Sequence, residues 1–271
     1  MHRFAIAILV VFILTPAALA QVVYPVQQVR YVSASTTSVD PNDPSQVETI
    51  EYFVTATGFD TWQEDVRAEA LDAPRWANAG QYSTFSPTDL DAFGATDIGL
   101  TAGGNYYTSY VTDGATGYGM RFAVPAAATY DLLGYASVEF TADSFDFDWW
   151  MDVITSIELR QIAGPTLYSD EISIHMTAQD FQPHQIVELP IALAGELTPG
   201  VYELYVLANA HGEVPWGTWP GPPLKGEASF VVTAEFAPVP PDVPGEGDLD
   251  GDGDVDIVDF ARFQRGMTGP L

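Results

Sequence analysis

Six aspartates fall within twelve residues in DLDGDGDVDIVD, residues 248–259. Numbered as a twelve-residue calcium loop, Asp248, Asp250 and Asp252 take positions 1, 3 and 5, and Gly253 takes position 6, where the chain must turn sharply. Asp254 at position 7 offers its carbonyl oxygen, Asp256 at position 9 reaches the ion through water, and Asp259 closes the sphere at position 12. A hard dication takes six to eight oxygens at about 2.3–2.6 Å, and this spacing wraps them around one point. A solvated acidic run would explain the composition. It would not explain a glycine at the turn position and Val255 at the hydrophobic position 8. Aspartate in place of glutamate at position 12 shortens the reach of the last ligand. Carboxylates crowded this closely repel one another when no ion is present, so metal and order are expected to arrive together. The cofactor expected from these residues is Ca2+.

The residues that follow, DFARFQR (259–265), have helical character, with Phe260 and Phe263 three apart on one side and Gly266 as the stop. The whole stretch GDLDGDGDVDIVDFARFQRG (247–266) resembles a dockerin-type calcium repeat, a calcium loop with Asp at its last position followed by a short helix. The resemblance implies calcium binding by Asp248, Asp250, Asp252, Asp254, Asp256 and Asp259. It departs from cellulosomal dockerins in two ways: one repeat is present instead of two, and Ile257 and Val258 stand where Ser or Thr commonly grips cohesin. Cohesin docking is therefore not expected. Dockerin-type tails commonly accompany polysaccharide-degrading systems, which implies a carbohydrate-active enzyme or accessory module as the alternative function.

Elsewhere the candidates for chemistry are sparse. There is no cysteine, which excludes disulfides, thiolate zinc sites and cysteine nucleophiles. No HExxH or GxSxG pattern occurs. His175 alternates with Ile172, Ile174 and Met176 and is expected on the opposite, exposed face; His184 and His211 read as isolated residues beside turns. The run DSFDFDWWMD (143–152) puts Asp146 and Asp148 on one strand face, about 7 Å apart, among aromatic rings. It reads either as a sugar site with two carboxylates or as a solvated strand edge. Trp216 and Trp219 in EVPWGTWPGPP (213–223), with Tyr106, Tyr107 and Tyr110, read either as a stacking platform or as plugs for the end of a core.

Composition narrows the partners. The 271 residues carry 37 acidic and 9 basic side chains, a net charge of −28, so a phosphate backbone is repelled and nucleic acid is excluded as a partner. Hydrophobic residues at 47% and aromatics at 13% exceed what an acidic disordered chain contains.

The elements that must position these residues follow from periodicity. Residues 1–20 read as a secretory signal peptide: a basic start, the apolar run FAIAILVVFIL (4–14) and the small-residue site Ala18-Leu19-Ala20. That run is too short to span a bilayer, and no mature transmembrane segment is expected. Export predicts a secreted or cell-surface protein. Residues 21–236 show period-two alternation, clearest in ASFVVTAEF (228–236), where Ala228, Phe230, Val232, Ala234 and Phe236 share one face. Tyr202, Leu204, Val206 and Ala208 repeat it, as does the stretch Thr129 to Phe140. Shorter strands are predicted at 29–36, 49–57, 119–124, 157–162, 171–176 and 185–193. Trp62 to Leu71 fits either a helical turn or a strand, and the Gly/Ala/Ser/Thr-rich region 73–116 is expected to form loops at one end. Many short strands without interleaved helices predict a mainly β fold, an antiparallel sandwich or jelly roll. Residues 237–247, with four prolines in APVPPDVPGEG, predict a semi-rigid linker. Residues 248–266 form the calcium module and 267–271 a tail.

The segments RFAVPAAATYDLLGYASVEF (121–140), LTPGVYELYVLANA (197–210) and GEASFVVTAEF (226–236) resemble a β-sandwich of secreted proteins from planctomycete-like bacteria. The resemblance implies a jelly-roll-like extracellular module. The expected function is a non-catalytic, calcium-binding surface or matrix protein, with a polysaccharide or a surface protein as partner.

Overall fold

The computed structural model describes residues 22–40, 43–70, 75–100, 109–142, 148–180, 182–214 and 224–239. These form β1 (Tyr24–Asp40), β2 (Asp43–Thr55), β3 (Trp62–Glu69), β4 (Trp76–Phe85), β5 (Asp89–Leu100) and β6 (Ser109–Val124). They continue with β7 (Ala128–Thr141), β8 (Trp150–Gln161), β9 (Thr166–Thr177), β10 (His184–Leu197), β11 (Gly200–Val214) and β12 (Leu224–Pro238). The first sheet runs β2-β1-β6-β11-β8-β9 and the second β10-β7-β12-β5-β4-β3. Every neighbouring pair is antiparallel. Among the described residues no helix is long and apolar enough to cross a membrane.

The connectivity is a jelly roll. From β5 to β12 the chain crosses between sheets at every connection except β8 to β9, so that β5-β12-β7-β10 form one four-stranded half and β6-β11-β8-β9 the other. Two interlocked Greek keys give this interleaving. The first four strands widen both halves, β1 and β2 beside β6, β4 and β3 beside β5.

Alternation places the core between the sheets. Ala228, Phe230, Val232, Ala234 and Phe236 are buried together, as are Tyr202, Leu204, Val206 and Ala208. Phe122 fixes one end, its ring 5.0 Å from Phe236 and 5.9 Å from Tyr202. Phe140 and Trp149 stack at 5.4 Å near the other. The added strands are packed differently. Arg30, buried on β1, crosses the gap and donates to Ser83 Oγ on β4 at 3.1 Å and to the Asp60 carbonyl at 3.0 Å. A buried cation needs such partners.

Region 73–116, expected as loops, instead holds β4, β5 and the start of β6. The inward residues of β4 are Ala77, Ala79, Gln81 and Ser83, too small or too polar to register as an apolar face. Trp62 to Glu69 is a strand.

Candidate functional site

The register of the second sheet aligns its outward side chains in rows that cross the strands. One row is Glu139 on β7, Glu227 on β12, Asp97 on β5 and Asn78 on β4. The next is Ser137, Ser229, Ala95 and Gly80, and the third Tyr135, Val231, Phe93 and Tyr82. Small side chains between two taller rows make a trough running across the sheet. Its two hollows, about 300 and 400 Å3, lie side by side with Ala95 and Asp97 lining both. At one end the Asp65 side chain lies over Gly80, where a Cβ would come within 2.2 Å of its Oδ1, and joins the lining.

The walls differ in chemistry. The apolar wall leaves Tyr82 (41%), Phe93 (45%), Val231 (45%) and Tyr135 (37%) open to solvent in one line. Scattered apolar exposure is common, but aligned exposure marks an interaction surface. The polar wall is held in place. Asp97 accepts from Trp76 Nε1 at 2.9 Å and from Asn78 Nδ2 at 2.9 and 3.1 Å. Glu139 meets His184 Nε2 at 2.9 Å. Glu227 stands between Glu139 and Asp97; desolvation by its surroundings, and then those two carboxylates, push its carboxyl above the usual range against the pull of Lys225. The row is not a metal cage: among the described residues no three His, Asp or Glu side chains are arranged to hold an ion.

The first sheet carries a second ordered row: Asp113 on β6, His211 on β11, Asp152 on β8 and His175 on β9. His211 Nδ1 bonds Asp113 and His175 Nδ1 bonds Asp152. The Trp150 ring lies 4.5 Å from that of His211. His175 is exposed, as its alternation predicts. His184 and His211 are not isolated as expected, because strand pairing gives each a carboxylate partner.

Asp148 is exposed and precedes β8, while Trp149 beside it enters the core. Tyr110, at 3% exposure, lies within β6 under the Arg75 guanidinium and serves the core instead of a platform. Asp146, Trp216, Trp219, Tyr106, Tyr107 and the six aspartates expected to bind calcium lie outside the described residues, as do the expected leader, most of the expected linker and the tail. The sequence reading missed the trough. Its residues were visible only as the watery faces of separate strands, and register across four strands brings them together.

No family model matches the chain, and no curated protein matches it. Among solved structures it is similar to the infectious bursal disease virus Gx strain structure at 10% identity, covering 79% of this chain and 65% of that one, with a TM-score of 0.17. The VP2 subviral particle of the same virus is 12% identical over 92% of this chain and 74% of that one, with a TM-score of 0.18. The first of these matches spans less than two thirds of the viral chain, and neither score supports an argument about function.

Proposed function

We propose that the protein is an exported, calcium-binding β-sandwich that binds a neutral polysaccharide in the trough of its second sheet without cleaving it. The observation that carries this reading is the pairing of an exposed aromatic and apolar row with a fixed carboxylate and amide row across a floor of small residues. Sugar rings have apolar faces suited to Phe93 and Tyr82, and hydroxyl edges that donate to Asp97, Glu139 and Glu227. An elongated trough suits a linear chain. Export rests on the leader pattern of residues 1–20, and calcium on the loop of residues 248–259.

Binding of the full-length protein to neutral glucan, xylan and mannan types tests the reading. Phe93→Ala is expected to weaken the bound type about tenfold, the loss of roughly 1.4 kcal/mol of ring contact.

A second reading, hydrolysis, is favoured by one observation: Glu227, whose carboxyl desolvation raises, pairs directly across from Asp97, which accepts from Trp76 and Asn78. Two carboxyl groups held in unequal surroundings, one of them raised, are the kind of pair glycosidases use. Release of reducing ends by the wild type, lost in Glu227→Gln with binding retained, would favour it over pure binding.

A further inference from the structure

On the opposite outer face, a hollow of about 360 Å3 lies between β1, β6, β11 and β8. It repeats the design of the trough with different residues. One wall is the row Gln27, Arg121, Glu203 and Arg160, set by register across four strands. Glu203, only 15% exposed, locks it: Oε1 accepts from Arg121 Nε at 2.7 Å and Oε2 from Arg160 Nε at 2.9 Å. Arg121 Nη1 in turn donates to Gln27 Oε1 at 2.8 Å. Bonds to two guanidinium groups overcome desolvation and hold the Glu203 carboxyl below the usual range. The other wall is Tyr205, linked to Tyr31, whose ring lies 5.8 Å from exposed Phe53. Gly119 is the floor. A Cβ there would sit 3.2 Å from Tyr205 Cδ2 and 3.4 Å from the Val29 carbonyl, so a side chain would fill the space.

We propose that this hollow is a second saccharide site taking one neutral sugar residue, so that the sandwich holds glycan on both outer faces and bridges two chains. The charges select the ligand. Arg121 and Arg160 are offset by Glu203 and Glu158 around the same hollow, and the chain as a whole carries −28, so a polyanion is repelled. What remains is a fixed array of donors and acceptors beside an aromatic ring, which suits the alternating hydroxyls and apolar face of a pyranose. A volume near the lower end of ligand pockets, about 300–1,000 Å3, suits one ring more than a long segment. Bridging rests on the glycan reading of the trough; binding in the hollow does not.

The test is titration of the full-length protein with short neutral oligosaccharides of glucan, xylan and mannan type, with light scattering on addition of the matching polymer. Two sites per chain and polymer-dependent turbidity are expected. Tyr205→Ala should weaken one site and reduce the turbidity while leaving the site that Phe93→Ala weakens. Gln27→Ala, at an exposed side chain that leaves the core intact, should weaken the same site should Tyr205→Ala fail to fold. A single site weakened in Phe93→Ala and unmoved by both other variants overturns the second site and leaves the trough standing. A single site weakened only in Tyr205→Ala and Gln27→Ala overturns the trough and, with it, bridging. No binding to any saccharide overturns both.

Discussion

Ala163, in the tight connection from β8 to β9, has φ of 60°, where a Cβ is crowded by the backbone. Glycine carries no such penalty. Ala163→Gly should therefore raise stability by about 0.5–1 kcal/mol, read as a higher denaturation midpoint at unchanged slope. His211 makes a different kind of prediction. Its bond to Asp113 raises the imidazole above its ordinary value against the opposing effect of burial, with further help from Asp113, Asp152 and Glu213. A group whose folded-state value is raised stabilises the fold fully below the unfolded value, near 6.5, and that contribution fades as pH climbs through the folded value. The melting temperature of the wild type should thus fall relative to His211→Gln as pH rises from about 6 through the neutral range. Parallel curves for the two proteins would show that the Asp113–His211 pair contributes nothing.

Strands were legible wherever one face was consistently apolar. ASFVVTAEF became the middle of β12 with its predicted inward set buried; the strands predicted at 29–36, 119–124, 171–176 and 185–193 lie within observed ones, and those at 49–57 and 157–162 overrun theirs by two residues and one. β4 and β5 were not legible. Gln81, Ser83 and Thr96 face inward there, and Gly94 and Gly99 interrupt the alternation. Their burial is set by neighbours: the Phe230 ring fills the place of a side chain at Gly94, where a Cβ would come within 2.5 Å of its Cζ. The trough shows the same limit at the level of function. Ser229 and Val231 point outward by simple alternation, but only their pairing with Ala95 and Phe93 makes them floor and wall. Local pattern determines which face a residue takes. Register determines its company.

The jelly roll and its two added strand pairs present two broad outer faces, and the acidic surface bars most anionic partners from both. The proposed calcium loop belongs to this scale, since the export proposed for the protein would bring it to calcium at levels that extracellular loops of this type can use. Calorimetric titration with calcium should give a binding heat for the full chain and none for the double variant Asp248→Ala, Asp252→Ala. Equal heats in both would remove the ion from the account. The trough remains the central claim. The most direct measurement is the affinity of the full-length protein for a panel of neutral polysaccharides, taken side by side with Phe93→Ala and Tyr82→Ala. Binding of one polysaccharide class, weakened about tenfold by each variant at unchanged melting temperature, is the predicted result. Binding equally strong in all three proteins, or absent from all three, would contradict it.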